Sequence, residues 1–372
     1  MMKINCHQLS VMLFMSFISL KFLVLPSALY IESGNMSWLV ALAIMIVDCL
    51  YAFLIISLMK RNQNKNIVEF MNECLGRIAT KIILTILACQ LFFQIANITK
   101  GLEFFVTENF YNDFNWVLYI LPLMILTGFM IYKGIRNIAR VQEIFYLSIA
   151  IGCIYIAVKS ITGVDPLVYL PMFKDGTTPI FMGAFKHLSW FGSSSFLLLL
   201  FGYVDFSNFK KRSLLKFLIF AILLVQLLYF IFYGLFDITS PTHTFCISDV
   251  SQFSSSKSII DELSWLVVSL WVVIQAIQIA LYGFCFTICI SNIFHIKSKI
   301  INTMIVNILI FSLGIIGSKT INFEQIFFSR FASIITIVAQ YVIPIVLWIV
   351  YSIKHSRKNF KEIKNEKTEN IV

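Results

Sequence analysis
Ten stretches of this chain stay apolar for roughly 18 residues or more, near 7–30, 37–59, 80–107, 114–132, 138–159, 184–204, 214–236, 262–290, 300–317 and 331–353. Runs of that length match a hydrocarbon core about 30 Å thick. Lipid offers no water to a backbone amide, so each run must form a helix that bonds within itself. The expected fold class is all-α integral membrane, with ten transmembrane helices in residues 1–353 and a basic tail over 354–372. Hydrophobic residues make up 59% of the chain and charged residues 13%, which excludes an ordinary water-soluble domain. The net charge of +10 does not signal nucleic acid, because the cations sit in short loops and one tail between apolar runs. The lipid bilayer is the expected partner, and nucleic acid is not.

Loop charge sets the expected orientation. With the amino terminus inside, Lys60, Arg61, Lys133, Arg136, Arg140, Lys210, Lys211, Arg212, Lys297, Lys299 and the tail lysines all fall on the cytoplasmic side. Both termini are then cytoplasmic. The amino terminus has a weak basic region and no small-x-small cleavage pattern before Tyr30, so the first run reads as a retained span.

The first run is interrupted twice, by Lys21 and by Leu23-Val24-Leu25-Pro26-Ser27. A lysine near the bilayer midplane costs roughly 2.5–3.5 kcal/mol on insertion scales, and a proline inside a helix frees a carbonyl. Both need a polar cavity or a protein partner, so the segment points to a small-molecule or ion site within the membrane. The sixth run is broken in a matching place, at Gly192-Ser193-Ser194-Ser195. Breaks at corresponding positions of two halves mark inverted-repeat transporter folds, here 7–159 and 184–353. Serine and glycine also serve ordinary helix contacts in membranes, and that reading of span six stays open.

Polar stripes run along two further spans. Gln90, Gln94, Asn97 and Gly101 share a face of span three, with Lys100 and Glu103 one turn apart near its outer end. Gln275, Gln278, Tyr282 and Cys285 share a face of span eight. Amides in lipid must find partners, so these faces point inward, to bind a ligand or to bond helix to helix. Asp48 lies mid-span and is expected as a neutral, hydrogen-bonded carboxyl; Glu143 and Asp205 are expected at the interface beside arginine or lysine.

Between spans, Ile67, Phe70, Met71, Cys74, Leu75 and Ile78 repeat at helical spacing and predict a helix along the membrane surface or against the bundle. The loop 160–183 is rich in proline and glycine. The Ser/Thr-rich segment Phe236–Asp261 reads as a lid or a solvated connector. Eight scattered cysteines without a C-x-x-C pair argue against disulfides, and Cys285 with Cys289 read as packing residues. The five histidines are spread over both faces, and no catalytic motif occurs, so no enzyme, metal or cofactor is expected.

Several segments together resemble the spore-germination permease family. They are Gln8-Leu9 with Leu23-Val24-Leu25-Pro26, Ala139-Arg140-Val141-Gln142-Glu143-Ile144, the Asp165-to-Gly183 loop, Trp190-Phe191-Gly192 and the Trp271-to-Tyr282 stretch. The likeness runs from about His7 to Ser352. It implies the B subunit of a nutrient germinant receptor, related to the amino acid–polyamine–organocation transporters. The implied fold is a LeuT-like five-plus-five inverted repeat with helices 1 and 6 broken, in the spore inner membrane. The implied function is recognition of a germinant, often an amino acid, with signalling through A and C partner subunits.

The related transporters carry Gly-Ser-Gly before a run ending in Leu-Pro, where backbone N–H groups receive a carboxylate. Aligned on Pro26, that motif falls on Ser19, Leu20 and Lys21. Family members often read Phe-Gly-Glu where this chain has Phe191-Gly192-Ser193. A cation has appeared in one break and an acid has gone from the other. Lys21 is expected to meet the carboxylate of an acidic or zwitterionic ligand or to stand where a coupling cation would sit; the alternatives are snorkelling and a structural pair with Asp48. The expected ligand-binding set is Ser19, Lys21, Phe22, Gln94, Asn97, Phe191, Gly192, Ser193, Ser194, Gln275 and Gln278. A secondary amino-acid transporter coupled to H⁺ or Na⁺ is the alternative function.

Overall fold
The computed structural model describes residues 3–19, 21, 25–62, 65–109, 116–170, 173, 176–192, 194–253, 260–319 and 330–354. Long helices dominate: α1 Cys6–Ser19, α2 Leu25–Ser33, α3 Ser37–Arg61, α4 Ile67–Leu75, α5 Arg77–Asn109, α6 Trp116–Lys133 and α7 Ile135–Ser160. They continue with α8 Thr178–His187, α9 Lys211–Phe236, α10 Cys246–Phe253, α11 Ile260–Ile293 and α12 Lys299–Lys319. A final helix starts at Arg330–Ile337 and runs on to residue 354 through a π turn at Val338–Val342.

Among the described residues, six helical stretches are long and apolar enough to cross a membrane: Leu25–Arg61, Arg77–Thr107, Ile135–Gly163, Lys211–Thr242, Ser269–Ile293 and Phe331–Lys354. Cys6–Ser19, Ile120–Lys133 and Lys299–Ile315 are shorter apolar helices. The chain is an integral membrane protein. Its outward faces carry the side chains expected against lipid, with Leu50, Ile82, Ile125, Ile151 and Leu223 all exposed.

Both interrupted runs are broken. Pro26 has no N–H to donate, and it stands in the first turn of α2, where none is needed; it therefore starts a new helix rather than kinking an old one. In the sixth run α8 ends at His187, a 3-10 turn spans Leu188–Trp190, and a second 3-10 segment, Ser195–Leu200, follows Gly192. The chain then leaves the bundle beside its own beginning. Ile4 N–H donates to the Tyr203 carbonyl at 2.8 Å, and Asp205 N–H donates to the Ile4 carbonyl at 2.9 Å.

Packing pairs elements from the two halves. α5 lies along α11, α6 along α12, α3 along α9 and α2 along α8, while α1 is enclosed by α7, α9 and α11. α1 is accordingly buried from Gln8 through Ser19.

Some expectations need correcting. The amphipathic helix ends at Leu75, because Gly76 takes a left-handed φ of 87°; Ile78 belongs to α5 and is 81% exposed. α4 itself packs into the bundle, with Phe70 stacked on Phe201 at 5.1 Å, and its start is closed by a reciprocal Asn66–Glu69 capping box. The segment after α9 is no solvated connector in its described part, since α10 buries Cys246, Ile247 and Val250. All eight cysteines are free. Glu143 is met by Gln8 Nε2 at 2.9 Å and His7 at 3.8 Å rather than by arginine. Asp205 accepts from Ser207 N–H at 3.0 Å, and Ser207 holds its carboxyl below the usual range, with the expected basic neighbour, Lys3, adding to the effect.

Candidate functional site
The two breaks meet at Lys21. Its side chain is fully buried, with Nζ 3.9 Å from Asp48 Oδ2 of α3, 4.6 Å from the Phe17 ring centre and 5.4 Å from the Phe191 ring centre. Snorkelling is therefore overturned: the ammonium points inward, held by one carboxylate and two aromatic faces. Asp48 faces a cation rather than neutral donors alone, and its Oδ1 also accepts from the Tyr341 hydroxyl at 2.9 Å. The same hydroxyl lies 3.3 Å from the Leu188 carbonyl, where α8 gives way to the second break.

Two carbonyls at the first break are met by hydroxyls from α9. Tyr229 donates to the Lys21 carbonyl at 2.5 Å, and Tyr233 donates to the Pro26 carbonyl at 2.9 Å. Without such donors a broken helix in lipid would leave buried carbonyls at several kcal/mol each. The end of α1 is clamped by α11. Ser19 Oγ donates to Gln275 Oε1 at 3.1 Å, Gln275 Nε2 donates to the Ser19 carbonyl at 2.7 Å, and Ser16 Oγ donates to Gln278 Oε1 at 3.2 Å.

Around the second break, Gln90 Nε2 of α5 donates to Ser195 Oγ at 3.1 Å. Gly192 has the Gln340 side chain directly above it: a Cβ there would sit 1.9 Å from Gln340 Cδ. Gln340 comes from the π turn of the final helix, is 1% exposed, and neither atom of its carboxamide has a hydrogen-bond partner. Gln94 Oε1 and Gln278 Nε2 are likewise buried without partners. A buried polar group left open in this way can take its missing bond from a ligand.

Of the expected residues, Ser19, Lys21, Phe191, Gly192, Ser194, Gln275 and Gln278 lie on the two breaks or on the helix clamping them, and all but Gly192 rank as buried polar or apolar side chains. Gln94 is buried on α5, and Asn97 is half-buried a turn further on. Phe22 and Ser193 lie outside the described residues. Gln275 spends both amide atoms on Ser19, which fits the helix-bonding reading of the span-eight stripe. Tyr229, Tyr233, Gln340 and Tyr341 were not among the expected residues. One signal could have found the last two: Gln340-Tyr341 interrupts an otherwise apolar final run, as Gln90 and Gln275 do theirs. No cluster of His, Cys, Asp or Glu able to hold a metal occurs among the described residues.

Long apolar helices, two paired interruptions and a sealed ion pair between them define a permease-type membrane protein. The sequence matches the spore germination protein family over residues 3–324, and the chain belongs to that family. No curated protein matches the chain.

Proposed function
We propose that this chain is the germinant-recognition subunit of a spore nutrient receptor, built as a five-plus-five inverted repeat of 7–159 and 184–353 with a basic tail over 354–372. Four spans pack on the one five places later, α2 with α8, α3 with α9, α5 with α11 and α6 with α12, and this supports that architecture. In this reading both termini are cytoplasmic, the membrane is the inner membrane of the spore, and the signal passes to A and C partner subunits.

One observation carries the reading. The two breaks converge on a buried pair of opposite charges, Lys21 and Asp48, and buried amide atoms of Gln278, on the helix that clamps the first break, and of Gln340, over Gly192 in the second, have no partner. A zwitterion such as an amino acid matches that arrangement, its carboxylate toward Lys21 and its ammonium toward Asp48, with the amides binding its side chain. Ser19, Phe22, Asn97, Phe191, Gly192, Ser193, Ser194 and Gln275 complete the proposed site. Lys21 and Asp48 are both fully buried, so the state described is closed and ligand must enter through another. A ligand that binds one state better shifts the population toward it, and that shift is the signal.

A second reading, amino-acid transport coupled to H⁺ or Na⁺, is favoured by the same sealed Lys21–Asp48 pair, which can exchange a proton or give way to a cation. Purified protein in liposomes separates the two with a panel of labelled amino acids. Saturable binding without gradient-driven accumulation supports sensing, and accumulation supports transport. Lys21→Met and Ser193→Glu variants tested on the same panel must change response or selectivity; if neither does, the proposed site is wrong.

A further inference from the structure
A separate cavity of about 700 Å³ opens at one end of the bundle, between the α6–α7 turn, the α11–α12 turn and the chain leaving the second break. Four cations line it, Lys133, Arg136, Lys297 and Lys299, and no acidic side chain does. A bias of basic loops toward the inner face explains cations on this side, but it does not require them to line one half-open cleft. Two helices also start there. α7 begins after Gly134, which has no side chain to cap it, and α12 begins at Lys299, where Ser298 Oγ accepts from the Ile301 N–H at 3.4 Å and leaves the other first-turn N–H groups; the amino-terminal turns of a 26-residue and a 21-residue helix thus both border the cavity. Amino-terminal turns attract anions through their open N–H groups and the helix dipole.

The remaining lining narrows the ligand. Asn302 is only 9% exposed; its amide nitrogen donates to the Ile296 carbonyl at 3.3 Å, and its Oδ1 has no partner. An anion without an O–H gives that acceptor nothing, whereas a phosphodiester whose headgroup carries a hydroxyl does. Tyr132 lines the cavity and is exposed, as are Ile301 and Met304 in the first turns of α12, which leaves apolar surface on the helix that starts there.

We propose that this cavity binds the headgroup of an anionic phospholipid. The four cations and the two helix starts hold the phosphate, Asn302 accepts from a headgroup hydroxyl, and the acyl chains lie along α12. The site is independent of Lys21 and the helix breaks, so it stands or falls apart from the germinant reading.

Native mass spectrometry of the purified full-length protein tests it, with phosphatidylglycerol, phosphatidylcholine or inorganic phosphate added. Phosphatidylglycerol is expected to stay bound in preference to phosphatidylcholine. Each cation removed should weaken it about fivefold, so Arg136→Gln/Lys299→Gln should cost about 25-fold. Arg136 and Lys299 are exposed, and unchanged thermal unfolding confirms that this variant folds. Arg212→Gln/Lys216→Gln, which removes two exposed cations from the start of α9, should retain the wild-type affinity. Equal binding of the two lipids, or equal loss in the two double variants, would overturn the proposal. Saturation by inorganic phosphate at the affinity of phosphatidylglycerol would assign the cavity to a soluble anion and overturn it as well.

Discussion

Lys21 Nζ lies 3.9 Å from Asp48 Oδ2, and neither residue is exposed. A lone buried charge is far more costly than a buried pair, so the two residues depend on each other. Removing either partner should cost about 3–5 kcal/mol, while removing both should recover most of that loss. Thermal unfolding of Lys21→Met, Asp48→Asn and the double variant measures the coupling. Additive losses in the double variant would show that the pair is not the reason Lys21 is tolerated in the bundle.

Gly192 and Gln340 are coupled by contact rather than charge. A methyl group at Gly192 would overlap Gln340 Cδ, so Gly192→Ala must push the carboxamide aside. Overpacking of this kind costs about 1–3 kcal/mol. Gln340→Ala opens the space, and Gly192→Ala/Gln340→Ala should therefore be more stable than Gly192→Ala alone, as read by unfolding of the purified protein in detergent.

The Ser19–Gln275 contact is asymmetric. Ser19→Ala loses one hydroxyl bond, worth about 0.6 kcal/mol between membrane helices. Gln275→Leu also strips the donor from the Ser19 carbonyl at the end of α1, leaving a buried acceptor open at about 1–3 kcal/mol. Gln275→Leu should be the more damaging of the two in the same unfolding assay.

Tyr229 holds the break itself. Tyr229→Phe removes the hydroxyl that donates to the Lys21 carbonyl and should destabilise the closed arrangement by about 1–2 kcal/mol. Amide exchange measured over residues 19–26 should accelerate, while exchange in the middle of α5 stays unchanged. Equal acceleration in both places would mean that the variant loosens the whole bundle.

Much of this protein can be read directly from its residues. Apolar runs of bilayer length permit only helices, and Pro26 and Gly192–Ser195 announce where two of them must break. Glutamines at helical spacing identify the inward faces of α5 and α11, because an amide cannot be left in lipid. These are local rules, in which length, period and a missing donor act within a single segment.

Partnership obeys no such rule. Lys21 in an apolar run could snorkel, meet a ligand or find a carboxylate, and only the packing of α3 beside the first break placed Asp48 within its reach. The tyrosines that satisfy the open carbonyls come from α9, and the amide that makes Gly192 necessary comes from a π turn in the final helix. No apolar period predicts these meetings, because each depends on the angle and depth at which helices distant in the chain cross. Sequence alone determined that this chain lies in a membrane and where its helices yield; the tertiary structure decided which charges, hydroxyls and amides face one another at the point of yielding.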